Sequence, residues 1–449
     1  MKGNVRFYFS LAWARLTYLA IRLLNKSSGT SFIGMEVLKI CPNFLSHCSK
    51  YVKNKILTVS GTNGKSTTSG LCAHMLEVAN QTVIHNLKGA NMLTGVANAF
   101  ALEVRPFKRY DYAVIESDEA YLTKLYDFIN SDYLIVTNLF RDQLDRYGEL
   151  ATTAGFIQNA IDKNKNLTLI LNADDPLVTN FGQNRENVVY FGFENVEELC
   201  DYEKSSAPTE VFNCPCGKPL EYSKTFFAQE GHYYCSACGF KRPNCKYSAD
   251  AKIYKDKIEL NVKFNDVDYK FTAGLVGLYN AYNVLAAIAF GFENGLNQAE
   301  IQKAISTYKS IFGRTEKRLI NGHNTLIQLI KNPTGASEVL KTVDLNSNIL
   351  IAINDNYADG RDISWLWDSD FEQLKNAKKL VVTSGVRALD MATRLKYAGI
   401  SQEKIVVEPD IKKAINIVTK EEENPQNVTI LPSYTALLKI NKMKFKEKI

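Results

Sequence analysis

From about residue 50, short apolar runs alternate with longer stretches at helical spacing. Apolar runs without polar alternation are typical of parallel strands that are covered on both faces. Strands that alternate with helices indicate an α/β fold. The pattern predicts five strands in the first half of the chain: Ile56–Ser60, Tyr112–Glu116, Tyr133–Thr137, Leu167–Leu171 and Val188–Phe191.

The second half of the chain changes pattern twice. Between Cys200 and Tyr247 the residues are rich in Cys, Pro, Gly, Lys and Tyr without a helical period, which predicts a separate insert. Two-residue alternation then predicts an antiparallel hairpin over Ile253–Phe264 and Tyr269–Phe271, before a helix at Asn280–Phe290. Further strands predict a second, smaller Rossmann-like domain: Ile349–Ile353, Lys379–Thr383, Lys404–Val407 and Val428–Leu431.

The segment Tyr8–Leu24 is apolar enough to suggest a signal or membrane-spanning segment. Arg15 and Arg22 interrupt it, and no small-residue cleavage site follows, so both interpretations are disfavoured. We favour a helix that packs on its own protein over one that rests on a membrane surface. Its predicted packing face comprises Phe9, Trp13, Leu16, Ala20 and Leu23.

Composition narrows the class of protein. The chain has 449 residues, 45% of them apolar and 23% charged, which indicates a soluble globular protein of about three domains. Its net charge of +6 is spread along the chain without a block of like charges, which argues against nucleic-acid binding. Five of the nine cysteines lie between Cys214 and Cys245, which indicates a metal site in a reducing, cytoplasmic setting.

The strand Ile56–Ser60 runs into the loop Gly61-Thr-Asn-Gly-Lys-Ser-Thr67, and a helical stretch follows. A glycine loop between a strand and a helix predicts a phosphate site, because backbone N–H groups and the helix dipole face the anion. Lys65 would add positive charge, and the Ser66 hydroxyl could bind Mg²⁺. Val59 stands where the strict motif has its first glycine. Glu116 ends a predicted parallel strand, where its carboxylate would face the same crevice.

The insert contains two cysteine pairs, Cys214-Pro-Cys216 and Cys235-Ser-Ala-Cys238, each followed by a glycine. Four thiolates at such spacing can surround Zn²⁺ tetrahedrally, and glycine permits the tight turn after each pair. The first pair is one residue short of the usual C-x-x-C, so Cys245 is an alternative ligand. We predict a closed, structural zinc site.

The glycine loop resembles the ATP loop of the Mur ligases, and three further segments resemble that family in the same order: Asn172–Pro176, Gly277–Asn283 and Gly313–Glu316. The resemblance implies Mg²⁺ ligation by Ser66 and Glu116. The segment Asn138–Asp145 is similar to the family's N-x-x-x-D-H-x-D, but Gln143 replaces the histidine, which leaves a second magnesium site open. The implied ATP-binding residues are Thr62, Asn63, Gly64, Lys65, Ser66, Thr67, Asn280, Asn283 and Arg314.

The cysteine insert and the segment Asp355–Asp368 resemble the MurT-type branch of this family. That resemblance implies a synthase subunit that uses ATP to activate the α-carboxylate of D-glutamate in lipid II, at the inner face of the membrane. Ammonia from a GatD-type glutaminase subunit would then give D-isoglutamine. Asp355 would complete the partner's Cys-His site. The alternative is a Mur or folylpolyglutamate-type ligase that adds an amino acid without a glutaminase.

The expected architecture has three parts. An N-terminal helical segment covers residues 1–40, and a Mur ligase-like P-loop ATPase domain covers 41–314 with the zinc-ribbon insert at about 205–247. A Rossmann-like C-terminal domain at 315–449 would contact the glutaminase.

Overall fold

The computed structural model describes residues 2–23, 31–86, 90–142, 150–199, 211, 213–309, 314–420, 427–443 and 445. The strands are β1 Val52–Ser60, β2 Val83–His85, β3 Tyr110–Glu116, β4 Tyr133–Val136, β5 Thr168–Asn172, β6 Val188–Glu198, β7 Glu221–Phe227, β8 Glu230–Tyr234, β9 Tyr247–Ile253, β10 Ile258–Phe264, β11 Val267–Ala273, β12 Arg314–Ile320, β13 His323–Gln328, β14 Asn348–Ala352, β15 Val381–Ser384, β16 Ile405–Val407 and β17 Val428–Pro432. The described α-helices are α1 Lys2–Leu23, α2 Phe32–Ile40, α3 Phe44–Ser49, α4 Lys65–Val78, α5 Leu93–Glu103, α6 Glu119–Leu125, α7 Leu150–Lys163, α8 Pro176–Asn180, α9 Leu278–Glu293, α10 Gln298–Thr307, α11 Pro333–Lys341, α12 Trp365–Asp368, α13 Ala388–Tyr397, α14 Ile411–Val418 and α15 Tyr434–Asn441.

A nine-stranded sheet holds the first half of the chain, in the order β11-β10-β9-β6-β5-β4-β1-β3-β2. The strands from β2 to β9 in this order are parallel, and β10 and β11 add an antiparallel edge. The chain places β3 on one side of β1 and β4 on the other. The loops that follow these three strands therefore meet at one edge, where α/β proteins bind ligands.

Both faces of this sheet are buried, as the apolar runs predicted. In β4, Leu134 and Val136 enter one hydrophobic core and Ile135 enters the other. Successive side chains of a strand point to opposite faces, so a strand between two cores must be apolar at every position.

The C-terminal sheet has the order β12-β13-β17-β14-β15-β16. Its strands from β13 to β16 are parallel, and β12 is antiparallel to β13. Leu350 and Ile351 of β14 enter the two cores on opposite faces of the sheet. The smaller Rossmann-like sheet is thus confirmed, and the β12–β13 hairpin adds an edge that the apolar runs did not predict.

The alternating stretch Ile253–Phe264 is not one strand. A turn closed by the Tyr254 N–H and the Lys257 carbonyl, 2.9 Å apart, divides it. β9 ends at Ile253 and pairs parallel with β6 and antiparallel with β10. β10 and β11 form the predicted hairpin, in which Phe264 pairs with Val267. Alternation continues across a short turn, so its period alone does not reveal the break.

The predicted packing face of the N-terminal helix is wrong. The helix packs on the protein through Phe7, Leu11 and Ala14, while Phe9, Trp13, Leu16, Ala20 and Leu23 are exposed. The helix is apolar on most of its circumference, so spacing does not select one face. Contacts decide instead: Phe7 packs on Phe44, and Arg15 Nη2 donates to the Val104 carbonyl at 2.6 Å. Among the described helices, none is both long and apolar enough to span a bilayer.

Candidate nucleotide site and cysteine cluster

The glycine loop joins β1 to α4 and contacts the segment that follows β4. Its Thr62 N–H donates to the Asn138 carbonyl and its Asn63 N–H donates to Asn138 Oδ1, both at 2.9 Å. Gly64 has φ of 86°, and a Cβ there would lie 1.9 Å from Asn283 Oδ1. Glycine is therefore required at this position by both backbone conformation and space.

Helix α4 begins at Lys65, so Lys65, Ser66 and Thr67 form its first turn. The N–H groups of a first turn lack intrahelical acceptors, and the helix dipole makes this end attractive to anions. Lys65 and Thr67 are buried, and Ser66 is half-buried. The structure thus assembles the predicted phosphate cradle, although its binding of ATP stays a prediction.

Lys65 is held by a carboxylate that the sequence motifs did not predict. Its Nζ lies 2.8 Å from Oε1 of Glu119, and both side chains are about 6% exposed. It also donates to the carbonyls of Gly61 and Thr62. Burial alone would lower the pKa of Lys65, but the negative charges of Glu119 and Asp118 outweigh burial and raise it. Glu119 was within reach of sequence reasoning, because it lies three residues after Glu116, in the segment that follows the same strand.

Glu116 ends β3, where its Cα is paired in register with Val59 of β1. It therefore lies beside the start of the glycine loop. The residue is buried, and its Oε1 accepts a hydrogen bond from Asn91 Nδ2 at 3.3 Å. A buried carboxylate and a hydroxyl at the start of α4 offer the oxygen ligands that Mg²⁺ prefers, so the donor set of Glu116 and Ser66 fits this ion.

The Gly277–Asn283 segment forms the start of α9, and its asparagines contact the first turns of α4, just after the glycine loop. Thr68 Oγ1 donates to Asn283 Oδ1 at 3.3 Å, and Asn283 Nδ2 donates to Asn280 Oδ1 at 3.3 Å. Asn280 Nδ2 in turn donates to the Val276 carbonyl at 2.8 Å. Arg314 begins β12, but its side chain and Gly313 lie outside the described residues.

A pocket lies beside the loop, between the two sheets. Asn332 Nδ2 donates to Asn63 Oδ1 at 3.0 Å, and Lys331 forms an ion pair with Asp142. These contacts join the C-terminal part of the chain to the glycine loop. Gln143 and Asp145, which bear on a second magnesium site, lie outside the described residues. The remaining lining residues include Tyr279, Tyr282, Glu230 and Glu338.

The Asn172–Pro176 segment connects the loop region to the cysteine insert. The buried Asp174 carboxylate accepts hydrogen bonds from Arg242 Nε at 2.6 Å, Tyr282 Oη at 2.9 Å and the Phe193 N–H at 2.8 Å. Arg242 belongs to the insert and Tyr282 to α9. Asp174 therefore fixes three separate parts of the chain to one another, a role that sequence alone did not predict.

Four cysteines of the insert converge: Cys214, Cys216, Cys235 and Cys238 have sulfurs within 4.8 Å of one another. The closest pairs are 3.4 and 3.7 Å apart. Tetrahedral Zn²⁺ with bonds of about 2.3 Å would separate its sulfurs by about 3.8 Å, so the cluster fits this ion. Gly217 and Gly239 have φ of 83° and 78°, as the predicted turns require. Cys245 is not part of the cluster.

Asp355 lies on the loop after β14, as predicted, and is nearly buried. Its Oδ2 accepts a hydrogen bond from Arg387 Nη2 at 2.7 Å. Asp359, in the same segment, instead accepts from the Thr435 N–H at 2.7 Å and holds the start of α15. The two aspartates therefore differ: Asp359 ties its loop to α15, whereas Asp355 is presented beside an arginine.

Comparison with known proteins agrees with this geometry. The model of the Mur ligase middle domain matches residues 59–223, and that of the MurT ligase C-terminal domain matches residues 329–437. The MurT subunit of lipid II isoglutaminyl synthase (glutamine-hydrolyzing) from Staphylococcus aureus (strain COL) is 35% identical over 439 residues, which cover 96% of each chain. This chain belongs to the MurT family.

Other relatives support the same assignment. The MurT subunit from Streptococcus pneumoniae is 32% identical, and the match covers 98% of this chain and 97% of that one. Among solved structures, a pseudomurein peptide ligase type C from Methanothermus fervidus has a TM-score of 0.67 at 20% identity, over 91% of this chain and 84% of that chain. MurF from Acinetobacter baumannii has a TM-score of 0.63 at 13% identity, over 92% and 81%. These two structures show that the MurT family chain has the Mur ligase fold.

Proposed function

We propose that this chain is the ATP-dependent synthase subunit that amidates the α-carboxylate of D-glutamate in lipid II to D-isoglutamine. The observation that carries the proposal is the glycine loop with Lys65 at the start of α4, in a chain that matches MurT subunits over nearly its whole length. A carboxylate is a poor electrophile, so its reaction with ammonia requires activation. Phosphoryl transfer from ATP would supply an acyl phosphate.

The residues of the site suit this chemistry. The first-turn N–H groups of α4 and the Lys65 ammonium would bind the transferred phosphoryl group and stabilise its charge. The Ser66 hydroxyl and the Glu116 carboxylate would hold Mg²⁺, which neutralises phosphate charge when bound. Phosphate would also compete with Glu119 for Lys65, because both are anions that need the same cation. The pocket between Asn63, Tyr279 and Asn332 would take the nucleoside.

The ammonia donor in this proposal is a GatD-type glutaminase. Its Cys-His pair would take Asp355 as the third group, which orients the histidine and stabilises its cation. Exposed apolar side chains lie within two residues of Asp355 or of Arg387 along the chain and support a docking surface there: Tyr357 is 75% exposed, Val386 67% and Leu389 71%. Val386 lies next to Arg387, the ion-pair partner of Asp355.

The cysteine cluster would hold a structural zinc ion in this scheme. Four cysteine ligands leave Zn²⁺ no open position, so the ion would take no part in the reaction. It would fix the insert, whose Arg242 reaches Asp174 beside the nucleotide pocket.

The test is mass spectrometry of lipid II incubated with ATP, Mg²⁺ and glutamine, with this chain and a GatD-type subunit added singly and together. We expect amidation only with both subunits and ATP, and its loss in a Lys65→Met variant of this chain. Ligation of a free amino acid by this chain alone would instead support the amino-acid ligase alternative and overturn the proposal.

A further inference from the structure

The outer face of α1 is a continuous apolar surface. Its exposed apolar side chains include Leu23 at 86%, Val5 at 69%, Leu16 at 62%, Phe9 at 55%, Leu19 at 54% and Trp13 at 42% exposed. At 100° per residue these positions fall on one side of the helix, opposite the buried Phe7, Leu11 and Ala14. Phe9 and Trp13 stack with ring centroids 6.4 Å apart. A run of exposed apolar side chains this dense marks a binding surface.

The helix cannot turn this face inward. Phe7 packs on Phe44, His47 and Tyr51 with ring centroids 5.3 to 5.8 Å apart, which fixes the inner face. Phe32 and Met35 of α2 are also exposed, at 51% and 39%, and add to the apolar surface near α1. The outer face is therefore a fixed feature of the fold.

The charge of α1 indicates what binds its apolar face. The segment Lys2–Leu23 contains three arginines and a lysine but no acidic residue. Arg6 and Arg22 are exposed and, at 100° per residue, lie on the two sides of the apolar face, Arg6 at its border and Arg22 farther round toward the inner face. A helix with an apolar face and basic flanks binds in the plane of an anionic lipid surface, with its apolar side chains below the headgroups. A second copy of this chain would bring further arginines and no acidic residue of the helix to pair with them.

We infer that α1 docks this chain on an anionic lipid bilayer, with Phe9, Trp13 and Leu16 inserted and Arg6 and Arg22 on the headgroups. Packing of α1 on α2 and α5 makes the helix lie along the surface rather than cross it. The inference is independent of the proposed reaction, because lipid binding needs neither ATP nor a glutaminase. It would bring the nucleotide site to a membrane that carries a lipid-linked substrate.

Flotation of the full-length chain with vesicles tests the inference. We expect it to float with vesicles of equal parts phosphatidylglycerol and phosphatidylcholine, and much less with phosphatidylcholine alone. Phe9→Asp with Leu16→Asp should lower vesicle binding at least about tenfold, because charges replace inserted side chains. Val267→Asp with Val407→Asp adds the same charges to exposed apolar positions of β11 and β16 and should leave vesicle binding unchanged.

The arginines and Trp13 give two further measurements. Arg6→Gln and Arg22→Gln should each weaken binding to the anionic vesicles about fivefold. In a Trp365→Phe, Trp367→Phe background, Trp13 is the sole tryptophan, and its emission should shift to the blue with anionic vesicles.

Three results would overturn the inference. One is equal flotation of the Phe9→Asp, Leu16→Asp variant and the parent chain, after thermal unfolding has shown that both are folded. Another is equal binding to both kinds of vesicle, which would remove the role of the arginines. The third is dimerisation that this variant abolishes, without vesicle binding by the parent, which would assign the face to a second copy.

Discussion

Lys65 Nζ lies 2.8 Å from Oε1 of Glu119, and both side chains are almost fully buried. Lys65 is the cation that we expect to bind the phosphates of ATP. Its charge is thus already balanced by Glu119 within the protein. Removing one partner of a buried ion pair leaves the other charge uncompensated, which is more costly than the pair's net contribution suggests.

We predict that Glu119→Gln lowers the free energy of unfolding of the nucleotide-free chain by about 3–5 kcal/mol. ATP should restore part of this loss, because phosphate supplies a new anion to Lys65. Urea unfolding with and without nucleotide measures both effects. Glu36→Gln, which breaks the exposed Lys39–Glu36 pair, is the control and should cost less than about 1 kcal/mol. An unchanged stability of Glu119→Gln would show that Lys65 does not need this carboxylate.

A second prediction concerns the ion pair between Arg242 and Asp174. Arg242→Met should destabilise the chain by about 3–5 kcal/mol, because it leaves the buried Asp174 carboxylate without its cation. Lys252→Met removes the cation of an exposed pair with Glu197, 3.4 Å away, and should have an effect below about 1 kcal/mol. Equal stabilities of the two variants would contradict the proposed role of Asp174 as a tie between the insert and the main sheet.

The cysteine cluster can be tested by metal analysis. The purified chain should contain one Zn²⁺, and Cys238→Ser should lose it together with part of its thermal stability, because zinc binding contributes folding free energy. Cys245→Ser should keep the ion, since Cys245 lies outside the cluster. Retention of zinc by Cys238→Ser, or its loss from Cys245→Ser, would show that the ligand set is different.

The lowered pKa of His85 leads us to predict that stability depends on pH. Burial lowers the pKa of His85 from 6.5 to about 4, so between these values the unfolded chain binds more protons than the folded one. Stability should therefore fall as the pH drops from 6.5 to 4. The ring is half-buried, so the loss should stay below about 3 kcal/mol.

His85→Gln removes this titration. Its unfolding free energy should vary less than that of the parent across the same pH range, as measured by urea unfolding. Identical pH profiles of the two proteins would show that His85 does not titrate differently on folding.

The parallel strands and the glycine loop could be predicted from the sequence alone. A strand covered on both faces, such as β4, is apolar at every position, and a glycine loop before a helix leaves a local signature. The cluster of four cysteines was also predictable, because their spacing is a property of the chain. Partners distant in the sequence were not: nothing local joins Asp174 to Arg242 or Asn63 to Asn332.

The N-terminal helix shows the same limit. Phe7 and Phe9 are equally apolar, and only the position of Phe44 decides which of them is buried. Periodicity predicted that this segment is helical but could not choose its inner face. The β12–β13 hairpin was missed for a related reason. β12 is mostly charged and β13 mostly polar, so neither strand forms the apolar run that predicts a buried strand.

The most direct test of the central claim uses Asp355→Asn of this chain in complex with a GatD-type glutaminase, with lipid II amidation followed by mass spectrometry. Asp390→Asn is the control, because Asp390 also contacts Arg387, at 3.6 Å, but lies outside the predicted triad. We predict that Asp355→Asn loses amidation with glutamine and keeps it with free ammonia, while Asp390→Asn keeps both. Full activity of Asp355→Asn with glutamine, or failure of the unmodified complex to amidate lipid II with either nitrogen source, would contradict the account.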